Sequence, residues 1–176
     1  RRPPTSTLRR SRRQRQMCIR DRNSIDLFFI LMKFSFASAE NEEQIKQILA
    51  DNDLHHQDIS SHQLQHFLIV KDDTALTLAG VVGLEQKDDL GLLRSLAVAK
   101  AYRRQGLATQ LVNKIEEYAR SQKVATLYLL TLTAEDFFTG RGYQKTDRNS
   151  APPALQETTE FKGLCPETAV CMKKHL

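Results

Sequence analysis

Arg103, Gly106 and Ala108 follow the apolar run Leu96-Ala97-Val98 in the order Arg-x-x-Gly-x-Ala and open a stretch of helical spacing. A helix start presents unpaired backbone N–H groups and the positive end of its dipole, so this turn, Arg103-Arg104-Gln105-Gly106-Leu107-Ala108, is suited to a pyrophosphate. Gly106 and Ala108 carry little or no side chain, which lets an anion approach the backbone. The alternative is an ordinary basic helix start. The turn lacks the Gly-Lys-Ser/Thr of a Walker loop and the three glycines of a dinucleotide fingerprint. Two further residues offer chemistry. Glu85 ends an apolar strand and is a candidate for accepting a proton from an amine, or else a solvated strand end. Arg94 lies inside a strand that is otherwise apolar, where an unpaired guanidinium is costly. A substrate carboxylate or an internal salt bridge resolves that cost equally well.

The elements that must position these residues can be read from periodicity. Lys33 to Ala37 alternates as a strand, and Ser38-Ala39-Glu40-Asn41-Glu42-Glu43 reads as a helix start leading through Ile45, Ile48 and Leu49. Asp51-Asn52-Asp53 ends that helix, and Ser60-Ser61-His62-Gln63-Leu64 predicts a shorter second one. His66 to Lys71, Ala75 to Glu85 and Leu90 to Val98 predict an antiparallel meander. Leu107, Leu111, Ile115, Tyr118 and Ala119 mark one buried helix face. Val124 to Leu130 predicts a strand parallel to Leu90–Val98, reached by crossover. A short helix from Thr133 to Thr139, a strand from Tyr143, an irregular or helical connection from Pro152-Pro153, and a strand around Ala169 to Met172 complete an α+β order βααβββαβαβ.

Composition narrows the function classes. The 176 residues, 40% of them hydrophobic, suit one soluble domain, and the net charge of +5 invites a nucleic-acid reading. Residues 1–22 hold nine Arg and one Asp, +8, which leaves 17 basic and 20 acidic residues, −3, for the rest. The basic character therefore belongs to the tail. That tail resembles translated sequencing-adapter read-through; residues 1–31 are expected to be non-native or disordered, with Met32 a candidate start. A nucleic-acid-binding arm and a secretory signal ending near Ala37-Ser38-Ala39 are the competing readings. No other run has membrane-spanning length, so the expectation is a cytoplasmic protein without nucleic-acid or membrane partners. Three cysteines suggest no disulfide framework, and His55, His56, His62 and His66 form no convincing metal set.

Val98 to Ala108 resembles the acyl-CoA signature of the GNAT superfamily of N-acetyltransferases. A second landmark of that family, an Ala eight residues and an aromatic four residues before a Gly-aromatic pair, reappears as Ala134, Phe138 and Gly142-Tyr143. Val81 to Glu85, Leu92 to Val98, Tyr128 to Thr131 and Glu160 to Met172 look like the branch described as arsenic-resistance N-acetyltransferases. The resemblance covers residues 32–176. It implies a mixed, mostly antiparallel sheet flanked by helices with a central splayed parallel strand pair. It further implies an acyltransferase moving acetyl from acetyl-CoA, the co-substrate, without a metal, to the amine of a small amino-acid-like acceptor, in a context of arsenic or xenobiotic resistance, as monomer or homodimer. Leu96, Ala97 and Val98 would bind pantetheine, with the Val98 N–H polarising the thioester carbonyl. Arg103, Arg104, Gln105, Gly106, Leu107 and Ala108 would hold the pyrophosphate, and Thr131 and Phe138 would border the coenzyme. Glu85 would take the amine proton and Arg94 the acceptor's carboxylate. Phe138 stands where many members carry a proton-donating Tyr, and Thr131 where many carry Asn. Cys165 and Cys171 are either arsenic ligands or buried thiols. A non-catalytic acyl-CoA-binding sensor is the alternative to the enzyme.

Overall fold

A computed structural model describes residues 31–75 and 77–176. The tail expectation for residues 1–30 lies outside the described residues. Seven strands form one sheet in the order β1-β2-β3-β4-β5-β7-β6. They are β1 (Met32–Phe36), β2 (Phe67–Asp72), β3 (Thr77–Lys87), β4 (Leu90–Val98), β5 (Thr126–Thr131), β6 (Gln144–Lys145) and β7 (Val170–His175). The helices are α1 (Glu42–Ala50), α2 (Leu107–Ser121), α3 (Glu135–Thr139) and α4 (Pro153–Gln156). This is the expected α+β mixed sheet, with β4 and β5 its parallel pair.

Alternation along the central strands sorts the core. One face of the sheet carries Val82, Leu84, Leu93 and Val98 against Leu107, Leu111, Val112, Ile115 and Ala119 of α2. On the other face Ile45, Ile48 and Leu49 of α1 pack on Phe67, Ile69, Val81 and Ala97. Further along that face Leu92 and Tyr128 meet Leu155, Phe161 and Cys171. Two adjoining clusters on one face leave a boundary between α1 and the 153–164 segment, and Arg94 sits on it. The second helix expected to start over Ser60–Leu64 is a short 3-10 turn, Gln63–His66. Of that segment only Leu64 faces the core, too little apolar surface to hold a full helix.

Two irregularities shape the centre of the sheet. Pairing between β4 and β5 covers only Leu90–Leu92 with Thr126–Tyr128; beyond that point the strands continue without a shared ladder. On its other edge β4 carries a bulge: Val81 pairs Ala97 and Gly83 pairs Arg94, so Ser95 and Leu96 together oppose Val82. Ser95 has φ of 56°, the left-handed conformation that a bulge imposes here. The bulge lies on β4 beyond its last pair with β5, within the unpaired stretch.

The seam below the gap is tight. A Cβ at Gly91 would stand 2.6 Å from Leu127 Cδ2 and 2.9 Å from Leu84 Cδ1. Gly91→Ala is therefore expected to destabilise the domain by about 1–3 kcal/mol, read as a lower urea midpoint with an unchanged slope.

Candidate active site

The turn expected to hold a pyrophosphate joins β4 to α2. Gly106, at φ 81°, and Arg104, at φ 62°, are both left-handed. The first main-chain bond of α2 runs from the Gln110 N–H to the Gly106 carbonyl, which leaves the amides of Leu107, Ala108 and Thr109 without an intrahelical acceptor. Among the described residues, the amides of Arg104, Gln105 and Gly106 also find no main-chain partner. A run of N–H groups without main-chain acceptors at the positive end of a 15-residue helix favours an anion electrostatically. Arg104 and Gln105 are exposed beside it. Arg103 is tied back: its Nε donates to the Val98 carbonyl at 3.1 Å and its guanidinium to Asn52 Oδ1 at 2.7 Å. Arg103 thus braces the strand-to-helix corner.

β4 supplies a second donor. The Ala99 N–H bonds Ala79 O at 2.9 Å on β3, so alternation turns the Val98 N–H to the opposite edge, toward β5. Both lie beyond the last β4/β5 pair, so the Val98 amide faces the gap. Leu96 is half-buried at the same gap, while Ala97 points into the α1 core. On the β5 side, Thr131 Oγ1 accepts from the Ala134 N–H at 3.0 Å and fixes the entry to α3. The amides of the turn and of Val98, with the unpaired strand edges between them, are the groups available here to hold an elongated anionic cofactor.

Phe138, expected at the coenzyme, is only 4% exposed and packs edge-on against Phe137 and Tyr143 in the main core. Burial and the nearby Glu116 carboxylate push the Tyr143 hydroxyl well above its usual range, so it keeps its proton. Sequence reasoning missed Arg141. Its guanidinium lies 3.4 Å over the Phe137 ring, donates to Phe137 O at 2.6 Å, and bonds Thr109 Oγ1 in the first turn of α2. No periodic pattern marks such a residue.

Arg94 resolves its burial internally. Its side chain is 1% exposed and meets Asp58 Oδ2 at 2.5 Å, Glu160 Oε1 at 3.1 Å and Glu85 Oε2 at 3.5 Å. The expectation that Arg94 receives an acceptor carboxylate gives way to the ion-pair alternative, because the guanidinium is enclosed by three carboxylates. Glu85 is further held by Lys87 at 3.2 Å, and Asp58 by the Thr159 hydroxyl at 3.0 Å. Burial pushes the Glu160 carboxyl up, against the pull of Arg94 and with help from Asp58 and Glu85, to about 7. Asp58 comes from a turn and Glu160 from the short π-helical turn Glu160–Leu164, so no spacing announced them. Arg148 anchors the Glu160 segment by donating to the carbonyls of Glu160, Phe161, Cys165 and Pro166 at 2.7–3.2 Å. Burial raises both Cys165 and Cys171 to about 11, which leaves them as thiols at neutral pH. Among the described residues no group of three or more His, Cys, Asp or Glu is arranged to hold a metal, and no helix is long and apolar enough to cross a membrane.

A sheet opened between parallel strands, with unpaired amides at the start of the following helix, is the arrangement that the resemblance to the acetyltransferases implied. Residues 28–143 match the acetyltransferase (GNAT) family model, and the chain belongs to that family. It is similar to the amino-acid acetyltransferase of Pseudomonas paraeruginosa PA7, 27% identical over 105 residues, which are 60% of this chain and 24% of that one. The corresponding protein of Azotobacter vinelandii is 29% identical over 97 residues, 55% of this chain and 22% of the relative. The match thus spans about a quarter of these relatives' length. Among solved structures, N-acetylglutamate synthase from Neisseria gonorrhoeae, complexed with coenzyme A and N-acetyl-glutamate, superposes with a TM-score of 0.71 at 20% identity, covering 82% of this chain and 35% of that one. Rv2747 from Mycobacterium tuberculosis, in complex with CoA and NLQ, gives 0.65 at 18% identity over 82% of this chain and 99% of its own. At these identities the structures speak to the fold.

Proposed function

We propose that this chain is an N-acetyltransferase that moves acetyl from acetyl-CoA to the amine of a small, amino-acid-like acceptor. The observation that carries the reading is the abrupt end of β4/β5 pairing at Leu92 and Tyr128, with the amides of residues 104–109 at the far end of the gap. Acetyl-CoA supplies an activated acetyl thioester. Leu96 to Val98 and Thr131 flank its arm, and the Arg103–Ala108 turn offsets the diphosphate charge with oriented amides that need no reorganisation. The Val98 N–H is a donor for oxygen charge developing at the acetyl carbonyl. Direct attack by the acceptor nitrogen needs no enzyme nucleophile, so positioning supplies much of the rate. The carboxylates around Arg94, Glu85 among them, receive the acceptor's ammonium. Phe138 contributes packing that sets α3 against the first turn of α2.

The amino-acid character of the acceptor is supported by the names of the relatives. The arsenic or xenobiotic context rests on the resemblance of Val81–Glu85, Leu92–Val98, Tyr128–Thr131 and Glu160–Met172 alone. Titration calorimetry with acetyl-CoA, joined to a thiol-release assay over the proteinogenic L-amino acids and their arsenic- and phosphorus-containing analogues, tests the proposal. Binding with acceptor-dependent thiol release is the expected result. Binding without release over the whole panel would favour the sensor reading, and absence of binding would end both.

A further inference from the structure

We propose that Glu160, in the segment between α4 and β7, is the proton acceptor for the acceptor's ammonium. The inference rests on the acetyl-transfer reading above and names the group that readies the nucleophile. Three features of the cluster lead to it.

The first is position. Phe161 packs with Leu92 and Tyr128, the last residues paired across β4 and β5. Glu160, its neighbour in the chain, therefore stands where the two strands part. Arg94, whose Nε it faces, is the second residue past that pair and leads directly into the Ser95-Leu96 bulge.

The second is charge. Among the described residues, Asp58, Glu85 and Glu160 share two cations, Arg94 and the rim residue Lys87. The cluster is one positive charge short, which either a proton or an arriving ammonium makes good. The facing groups are Asp58 from the 51–62 loop, Glu85 and Lys87 from β3, Arg94 from β4, and Cys165 on the same segment; Arg148, which precedes α4, is engaged by backbone carbonyls and pairs with none of the three carboxylates.

The third is the unequal grip on the carboxylates. Asp58 holds Arg94 at 2.5 Å and accepts from Thr159, while Glu85 has both Arg94 and Lys87. Glu160 has the one ion pair, and Arg94 Nε is not aligned for a hydrogen bond in it. Its side chain is nine-tenths enclosed yet retains 9% of its accessible surface. It is the desolvated, least compensated member, and its carboxyl titrates near 7, where a base for an amine is useful. The Arg148 clamp on the carbonyls of residues 160–166 holds it there.

The step balances. The ammonium gives one proton to the Glu160 carboxylate, leaving a neutral amine and a carboxylic acid. The nitrogen lone pair forms the C–N bond to the acetyl carbon as the C–S bond breaks, with its electron pair going to sulfur. The nitrogen's second proton goes to the thiolate, and Glu160 returns its proton to water.

Glu160→Gln keeps the side-chain shape and removes the acceptor. With the L-amino acid that gives the highest rate on the wild-type protein as probe, the variant is expected to lose about 100-fold in kcat. The rise of wild-type kcat/KM through about pH 7 should vanish from its profile, while its acetyl-CoA affinity stays at the wild-type value. Glu85→Gln should retain the rise. A readout independent of turnover is the melting temperature without ligand. Because the folded Glu160 holds its proton to higher pH than the unfolded chain does, its own contribution to stability is fully present below the ordinary carboxylate range and is lost as pH rises through about 7. Glu160→Gln should lose that decline. A variant with wild-type rate and profile, a rise that disappears with Glu85→Gln instead, or identical melting profiles for wild type and variant would each overturn the assignment and leave acetyl transfer standing. Absence of wild-type turnover with every amino acid would remove both.

Discussion

Gly106→Val is expected to weaken acetyl-CoA binding by about 100-fold or more, close to 3 kcal/mol. Gly106 sits at φ 81°, a conformation that a β-branched residue reaches only under strain. The valine would either hold the strained turn with its side chain beside the amide array, or relax the turn and scatter the N–H groups of residues 104–109. Both outcomes remove the anion cradle. The corner itself is braced independently, by Arg103 on the Val98 carbonyl and on Asn52, and α2 is held by Leu107, Leu111, Val112 and Ile115 in the main core. Calorimetry should therefore show a lost interaction in a folded protein, with the melting temperature within a few degrees of wild type. A wild-type dissociation constant in this variant would mean that the coenzyme's diphosphate is held elsewhere.

Arg94→Met is expected to cost about 3–5 kcal/mol of stability at neutral pH, because it leaves three carboxylates around an apolar side chain with only Lys87 on the rim. The sign of the pH dependence is fixed by the same charges. Without the guanidinium, Glu160 loses the charge that opposes its burial and holds its proton more tightly still in the folded chain than in the unfolded one. The variant should regain stability as pH falls toward the carboxylate range and lose it as pH rises. Urea unfolding at pH 5 and at pH 8 measures both quantities. Equal stability of variant and wild type at pH 8 would show that the cluster is hydrated and contributes no constraint.

The contrast between these two sites shows what the chain discloses before it folds. The cradle is local: Arg103 to Ala108 are contiguous, and a glycine at a helix start carries its meaning in its type and place. Strand and helix periodicities are local as well, which is why Leu90–Val98, the α2 face and the parallel β4/β5 crossover could be read directly. The Arg94 cluster is not local. Asp58, Glu85, Arg94 and Glu160 come from four segments, and Asp58 and Glu160 lie in stretches without apolar period. The sequence could state that Arg94 required a partner, and could not choose between a ligand and the protein's own carboxylates. The buried Glu116 on α2 was hidden for the same reason. Its partner, Lys174 on β7 at 2.6 Å, is supplied by tertiary structure. The helix expected to start over Ser60–Leu64 is cut to the 3-10 turn Gln63–His66 because the residues there have almost no apolar face to bury.

The central claim is that the coenzyme lies along the β4/β5 gap with its diphosphate on the backbone amides that open α2. Titration of coenzyme A into the 15N-labelled full chain, followed by amide chemical shifts, tests it most directly. The account predicts the largest shifts at Arg104 through Thr109, with a second group at Leu96 to Val98 and at Thr131. Shifts confined to other parts of the sheet, with the amides of residues 104–109 unmoved at saturation, would contradict it.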